Sequence, residues 1–318
     1  MKATVMSSSF YIRHYVPEMD MHSLHLMLTE VESVDRDGED TSEEYLLAAL
    51  QWHNYRPSQD VWIAEADGKL VGYGVALEQP SQRCTIYVVV HPSQRRKGLG
   101  GQLLELTLNR AREIGSKDIL VYANGHNEGS NIFLKYHGFQ QVGSSGSLKA
   151  PASINMPAFE LPAGFVIKRY SEVNEPRILL KALNVCYEGM WGHQHNYNPS
   201  KEELALPRFL KYYDAEDILL LFEEKDSILG ICSLKSEGKK EGNGEVSDLL
   251  DGPGIVQEYR EKGYQRQMVL AGIQHLRKNR TRPVTLEFWG DNESALNIYR
   301  ELGFEMLNHL FTYHKELK

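Results

Sequence analysis

Cysteine is scarce in this chain: 3 residues in 318, at positions 84, 186 and 232. They are odd in number and far apart, so no disulfide framework and no zinc-ligand spacing can be read from them. No run of about 18 apolar residues occurs, so no segment reads as a membrane-spanning helix. Residues 1–17 hold no apolar core of the signal-peptide kind, and a reducing cytoplasm is the expected setting. A surplus of positive charge is also missing. Lys and Arg number 35 against 43 Asp and Glu, a net charge of −8, whereas nucleic-acid binding asks for a basic face to meet phosphates. Of the two short basic runs, Arg95-Arg96-Lys97 and Arg277–Arg282, the second reads as a solvated helix end.

What the chain does have is a repetition. Arg95, Lys97, Gly98, Asn127, Glu128, Gly138 and Phe139 recur, at one constant spacing, as Arg260, Lys262, Gly263, Asn292, Glu293, Gly303 and Phe304. The types are polar, glycine and aromatic rather than interchangeable aliphatics, so the chain reads as two copies of one domain. Its length allows each copy its own core. The expected division is 1–157 for the first copy, 158–164 for a linker and 165–318 for the second.

Each copy carries the same order of local patterns. In the first, a short strand (Phe10 to Tyr15) precedes a helix (Met19 to Val31) and a second helix that opens at Thr41-Ser42-Glu43-Glu44. A hairpin follows, Val61 to Glu65 and Leu70 to Leu77 around Asp67-Gly68. Then come a strand (Thr85 to Val90), a helix (Gly98 to Ile114), a strand (Ile119 to Ala123), a helix (Glu128 to His137), a strand (Phe139 to Val142) and a last strand, Leu148 to Met156. This predicts a mixed-sheet α/β fold in two tandem copies.

The segment Val88-Val89-Val90-His91-Pro92-Ser93-Gln94-Arg95-Arg96-Lys97-Gly98-Leu99-Gly100-Gly101 takes a strand through a basic, glycine-rich loop into a helix. Unpaired N–H groups and the helix dipole make such a junction an anion site. Position 103 is Leu, where a dinucleotide-binding loop would carry a third glycine, and no Gly-Lys-Ser/Thr is present for a Walker loop. The R-x-x-G-x-G arrangement, with Asn127 and Gly138-Phe139 downstream, instead resembles the acetyl-CoA loop of the GNAT superfamily of N-acetyltransferases. In the second copy Asn292, Ala295, Tyr299, Gly303 and Phe304 fit the family's N-x-x-A…G-F tail more fully.

The resemblance spans the chain twice. It implies a sheet whose fourth and fifth strands splay to admit pantetheine, with Val88 and Val90 lending backbone groups. The N–H groups of Arg95, Arg96, Lys97, Gly98, Leu99, Gly100 and Gly101 would surround the pyrophosphate, and Asn127 would lie near it. Acetyl-CoA is the implied co-substrate and a small-molecule amine the implied acceptor, with direct transfer and a monomer or homodimer as the working unit. Neither a metal ion, nucleic acid nor a membrane is expected as a partner.

The copies differ where chemistry is expected. At constant spacing Gly100 becomes Gln265 and Val88 becomes Pro253, so cofactor binding is assigned to the first copy. Gly252-Pro253-Gly254 reads as a bulge. The family's proton-donor tyrosine is Leu134 in the first copy and Tyr299 in the second. Its strand glutamate is Cys84 in the first copy and Leu249 in the second, with Asp248 and Asp251 nearby. Tyr87 and Glu78 stand as substitutes in the first copy beside a water relay, and Tyr136 is expected to pack rather than react. The Met190–Pro199 segment, with His193 and His195, reads as an aromatic loop that could wall a pocket. The acidic stretch Val34 to Asp40 reads as a solvated loop. Two other outcomes stay open: catalysis in the second copy with Tyr299 as acid, and a non-catalytic acyl-CoA sensor.

Overall fold

A computed structural model describes residues 10–37, 40–50, 56–79, 82–190, 202–223, 227–240, 246–278, 281–290 and 293–317. The chain divides into two compact units, Met1–Gln141 with Phe311–Lys318, and Val142–Leu310. This division differs from one drawn along the sequence. The residues after 141 pair with strands of the second unit, while Tyr313 of the final strand packs in the first unit's core.

The first unit begins with β1 (Tyr11–His14), α1 (Pro17–Asp35), α2 (Glu43–Leu50) and α3 (Pro57–Asp60). Pro17 at the start of α1 suits a position whose N–H has no helical partner. Asp20 fastens that end: its carboxylate accepts the Val16 N–H at 2.7 Å and two bonds from Arg13 at 2.7 and 2.8 Å. The hairpin β2 (Val61–Ala66) and β3 (Lys69–Gln79) leads to β4 (Arg83–Val90), α4 (Leu99–Glu113), β5 (Asp118–Asn124) and α5 (Glu128–Tyr136). The strand order is β1-β2-β3-β4-β5, with the end of the chain's last strand beside β5. Two layers of side chains cover the sheet. Cys84, Ile86, Val88 and Val90 join α4 and α5 on one face, whereas Tyr73, Val75 and Val89 join α1 on the other.

The second unit takes up β6 (Gln140–Ala150), which runs unbroken through Gly143–Gly146. The Ser- and Gly-rich stretch was expected to separate two strands, but it is strand itself. A Cβ on Gly146 would stand 3.0 Å from the Phe288 ring and closer still to a backbone carbonyl, so only glycine fits there. Next come β7 (Phe165–Arg169), α6 (Tyr170–Val173), α7 (Pro176–Val185), α8 (Glu202–Tyr212), β8 (Ile218–Glu223), β9 (Ser227–Lys240), β10 (Val246–Asp251) and β11 (Gly254–Ile255). The unit closes with α9 (Tyr264–Leu276), β12 (Val284–Gly290), α10 (Glu293–Glu301) and β13 (Glu305–Glu316), whose last residues belong to the first unit. Its strand order is β6-β12-β10-β9-β8-β7, with β11 also on β9.

Strand register corrects the constant spacing in one place. In the first unit β3 pairs with β4 without a break from Glu78↔Cys84 to Gly72↔Val90. In the second, Leu250 pairs with Leu234 and Gly254 with Ile231. Residues 251–253 therefore face only residues 232 and 233, a one-residue bulge at Gly252-Pro253. Upstream of it the faces shift by one: Leu250, not Leu249, joins the core against α9. Asp248 therefore takes the place of Cys84, and Asp251 that of Tyr87.

Candidate functional site

In the first unit β4 and β5 pair in parallel at Arg83↔Asp118, Cys84↔Ile119 and Thr85↔Leu120, and then part. The gap is flanked by Val88 and Val90 and leads to the loop before α4. Arg96 lies in the left-handed region at φ 62° and Gly98 at φ 86°. Arg95 donates its own N–H to Pro92 and Gln102 bonds back to Gly98. None of the backbone N–H groups from Arg96 to Gly101 has an acceptor among the described residues. Six consecutive donors at a helix start form a nest for an anion. At Gly100 a Cβ would stand 3.5 Å from Phe133 and 3.7 Å from Val90, so a larger side chain would enter the space those residues bound.

The side chains of the motif have other tasks. Arg95 donates Nε–H to the Val90 carbonyl at 2.9 Å and both Nη groups to Asp35 at 2.7 and 2.5 Å. It clamps the loop to the end of β4 and to α1. Arg260 repeats the first of these bonds on Ile255 at 2.9 Å and adds the carbonyls of Cys186 and Glu188. Lys97 holds the Ser93 carbonyl and Gln94, which leaves Arg96 as the loop cation with no partner among the described residues. Asn127 caps α5, its Oδ1 accepting from the Ser130 N–H at 3.1 Å. Gly138-Phe139 forms a Schellman ending, with Phe139 N–H to Leu134 and Gly138 N–H to Lys135, and Gly303-Phe304 repeats it on Tyr299 and Arg300.

Among its described residues the acidic stretch is only partly solvated, with Val34, Arg36 and Asp40 exposed and Asp35 and Asp37 half-buried. Asp35 holds Arg95, and the Asp37 carbonyl accepts from Asn124 at 3.4 Å. The Asp37 carboxyl lies 3.3 Å from His126 Nε2 without hydrogen-bond alignment. Burial pushes it up, and Asp35 adds to the shift. Tyr87 and Glu78 are not brought together. Glu78 lies across from Cys84 on the α4 face, while Tyr87 shares the α1 face with Val89. Leu134 is buried in the core, and Cys84 is buried with its thiol pushed up to about 12. Tyr136 does not pack as expected; it is 84 % exposed.

The second unit closes the corresponding gap. Pairing of β10 with β12 continues to Asp251↔Glu287, and the Gly252 N–H then donates to the Glu287 carbonyl at 2.6 Å. Lys262 N–H, the counterpart of that of Lys97, is spent on Tyr259. Arg260 is right-handed helical where Arg95 is extended. Gln265, 4 % exposed, donates Nε2–H to the Tyr299 hydroxyl at 2.9 Å. Tyr299 is 1 % exposed, and burial pushes its hydroxyl far up. The cavity left beside them, lined by Gly252, Pro253, Gln265, Phe288 and Tyr299, measures about 20 Å³. That is room for about one water.

Sequence patterns did not reveal the Gln265–Tyr299 bond, the Asp35 clamp, or Asn131, whose Oδ1 accepts from the buried Tyr313 hydroxyl at 2.9 Å. They also missed the bond from Tyr213 to the Asp251 carboxyl. Each joins residues far apart in the chain. Among the described residues no group of three His, Cys, Asp or Glu gathers for a metal ion, and no helix is long and apolar enough to cross a membrane. His193, His195 and Asn292 lie outside the described residues.

Comparison with known proteins gives two successive matches along the chain. A model of the acetyltransferase (GNAT) family matches residues 25–139, and one of the acetyltransferase (GNAT) domain matches residues 174–316. The chain is 24% identical over 259 residues to a mycothiol acetyltransferase of Saccharopolyspora erythraea, covering 78% of this chain and 82% of that one. It is 26% identical over 291 residues to the mycothiol acetyltransferase of Renibacterium salmoninarum, covering 88% and 82%. Among solved structures, a GCN5-related N-acetyltransferase from Sphaerobacter thermophilus superposes with TM-score 0.69 at 18% identity, over 96% of this chain and 95% of that one. A tandem GNAT protein from the clavulanic acid biosynthesis pathway gives TM-score 0.56 at 15% identity, over 97% and 98%.

Proposed function

The chain belongs to the acetyltransferase (GNAT) family, and from that premise we propose that it moves an acetyl group from acetyl-CoA to a small-molecule amine, with the cofactor held in the first unit. The observation that carries this reading is the run of six unbonded N–H groups from Arg96 to Gly101, opening on a gap that no side chain fills at Gly100. The cradle fits a pyrophosphate: the donors are backbone groups, and Arg96 adds a cation. Acetyl-CoA supplies the thioester. Val88 and Val90 flank the parted strands and offer backbone groups to an extended amide chain. An acceptor ammonium must lose a proton before attack. Tyr87 and Glu78 lie on opposite sheet faces, so they do not serve as a joined acid and base, and a water relay to solvent suits the first unit better. The names of the mycothiol acetyltransferases support a small-molecule acceptor.

Calorimetric titration with acetyl-CoA tests the assignment. One site per chain is expected, and its loss in Gly100→Gln would place it in the first unit; two sites, or one that survives the substitution, would overturn the assignment. A second reading puts the chemistry in the second unit. It is favoured by the Tyr299 hydroxyl, a buried donor held by Gln265 beside the small cavity of that unit. Tyr299→Phe separates the two: turnover should stay within about threefold of wild type under the first reading. A loss of about a hundredfold or more would move the chemistry.

A further inference from the structure

The end of α5 lies against the start of α4. A Cβ on Gly100 would meet Phe133, and one on Gly101 would stand 3.8 Å from Cε1 and 3.9 Å from Nε2 of His137. The imidazole thus turns its Cε1–Nε2 edge toward the first turn of α4, where the N–H groups of Leu99, Gly100 and Gly101 are open. The rings of Phe133 and Tyr136, with centroids at 4.5 and 5.2 Å, hold it from its own helix. At constant spacing the second copy has Leu302 in this place, buried in its core.

Two other imidazoles next to the motif are already bonded. His91 meets Ser93 at 2.8 Å and Glu30 at 2.9 Å, and His126 meets the Asp35 carbonyl at 2.9 Å. His137 is half-buried, and neither of its ring nitrogens has a hydrogen-bond partner among the described residues. A polar group placed so, beside open donors, gains a partner only when a ligand arrives.

The protein's own field opposes a charge on this ring. Burial and the Lys315 ammonium pull it below its ordinary 6.5. The negative end of α5 is answered by Lys315 of β13, which donates to the His137 carbonyl at 2.5 Å. The first turn of α4, Leu99 to Gln102, carries no charged side chain but presents the positive end of its dipole. An anion in the nest reverses that field and draws a proton to the imidazole.

We propose that His137 is a ligand of the bound pyrophosphate, which takes a proton from solvent as the cofactor binds and donates Nε2–H to a phosphate oxygen. The inference rests on the first-unit cofactor assignment and adds a titrating side chain to a cradle of backbone groups. The free ring binds its proton weakly and the anion-bound ring tightly. Affinity gained through His137 is therefore complete at low pH and lost as pH rises through the bound-state value.

Acetyl-CoA carries a phosphate monoester that itself titrates at about pH 6, so dephospho-coenzyme A, which keeps only the pyrophosphate, is the probe. Calorimetry on the full chain should show affinity about tenfold higher at about pH 6 than at about pH 8. Two buffers of different ionisation heat should report uptake of up to about one proton. His137→Asn should flatten the profile and match wild type at about pH 8. Lys315→Met removes the opposing charge and should move the rise to higher pH, a shift that lost packing alone would not give. If His137→Asn does not fold, nitrogen-15 NMR of the wild-type imidazoles decides. The imidazole whose midpoint moves in Lys315→Met should titrate at higher pH once the probe is bound. A flat wild-type profile, equal pH dependence in His137→Asn, or an imidazole midpoint unmoved by the probe would overturn the inference and leave the cofactor assignment standing. Binding at about pH 8 that Gly100→Gln does not weaken would overturn that assignment instead.

Discussion

The two helix-start loops have similar sequences and different backbones. Arg95 to Gly101 passes through two left-handed residues and leaves six N–H groups open, beside strands that part after three pairs. Arg260 to Arg266 keeps one left-handed residue, Gly263, and uses the Lys262 N–H internally. There the strands stay joined to Glu287, and Gln265 with Tyr299 fills what remains. A duplicated scaffold has thus kept its clamps and helix ends in both copies, while the second loop ties up one more N–H, that of Lys262, and has Gln265 and Tyr299 in the space before it. Conserved geometry and conserved chemistry have separated.

The largest effect that would break this comparison comes from making the first loop like the second. Gly100→Gln should weaken acetyl-CoA binding by about a hundredfold or more, because the side chain enters the space bounded by Phe133 and Val90 while the backbone must still reach the ligand. Unchanged affinity would mean that the two loops do not differ in the way their backbones suggest.

An effect of intermediate size concerns pH. Asp251 takes the register position that Tyr87 holds in the first unit, and there it is buried against Tyr213, Tyr187 and Cys232 beside Glu287. Its folded value of about 6 lies above its ordinary 3.8, so the folded state binds the proton more tightly than the unfolded one. Stability from this residue should therefore fall as pH rises from about 4 through about 6, by about 3 kcal/mol in all. Urea unfolding of wild type and Asp251→Asn across that range would read it. The variant should show a flatter profile and be the more stable at neutral pH, and parallel profiles would place Asp251 in solvent.

A smaller effect is expected at the shared clamp. Asp35→Ala leaves the Arg95 guanidinium with only the Val90 carbonyl, and a loss of about 1–3 kcal/mol should follow in thermal or denaturant unfolding. Arg260 takes its extra bonds from the carbonyls of Cys186 and Glu188, so no single side-chain substitution should release it in the same way. A loss under about 0.5 kcal/mol would class the Arg95 pair with ordinary surface ion pairs.

Much of the repeated skeleton turns out to be scaffold. Asn127 is a helix cap, Gly138-Phe139 a helix ending and Arg95 a clamp. The cap and the helix ending are local, which is why sequence spacing finds them readily, whereas the Arg95 clamp reaches Asp35, 60 residues away. Their roles were harder to read: a motif shared with cofactor-binding proteins drew attention to phosphate, although the side chains of Arg95, Lys97 and Asn127 bond to the protein itself. The bulge at Gly252-Pro253 was legible from its glycines and proline, yet its consequence was not. Inserting one residue turns the side chains just upstream to the other face, so Leu249 and Asp251 both leave the core face that a constant spacing assigns them and Leu250 takes it instead. Tyr136 misled for a similar reason, since helical spacing alone does not say whether a neighbouring element covers that side.

Residue order alone established that the chain is a duplication, the succession of strands and helices in each copy, and the presence of one loop rich enough in glycine to approach an anion. These follow from short-range preferences: turn chemistry, apolar periodicity and the conformations that only glycine adopts freely. Three-dimensional pairing decided the rest. It set where β4 parts from β5, kept β10 on β12, sent the final strand to the first unit and laid His137 against the start of α4. Hydrogen-bond register and side-chain packing join residues more than a hundred positions apart, and no local pattern carries that information.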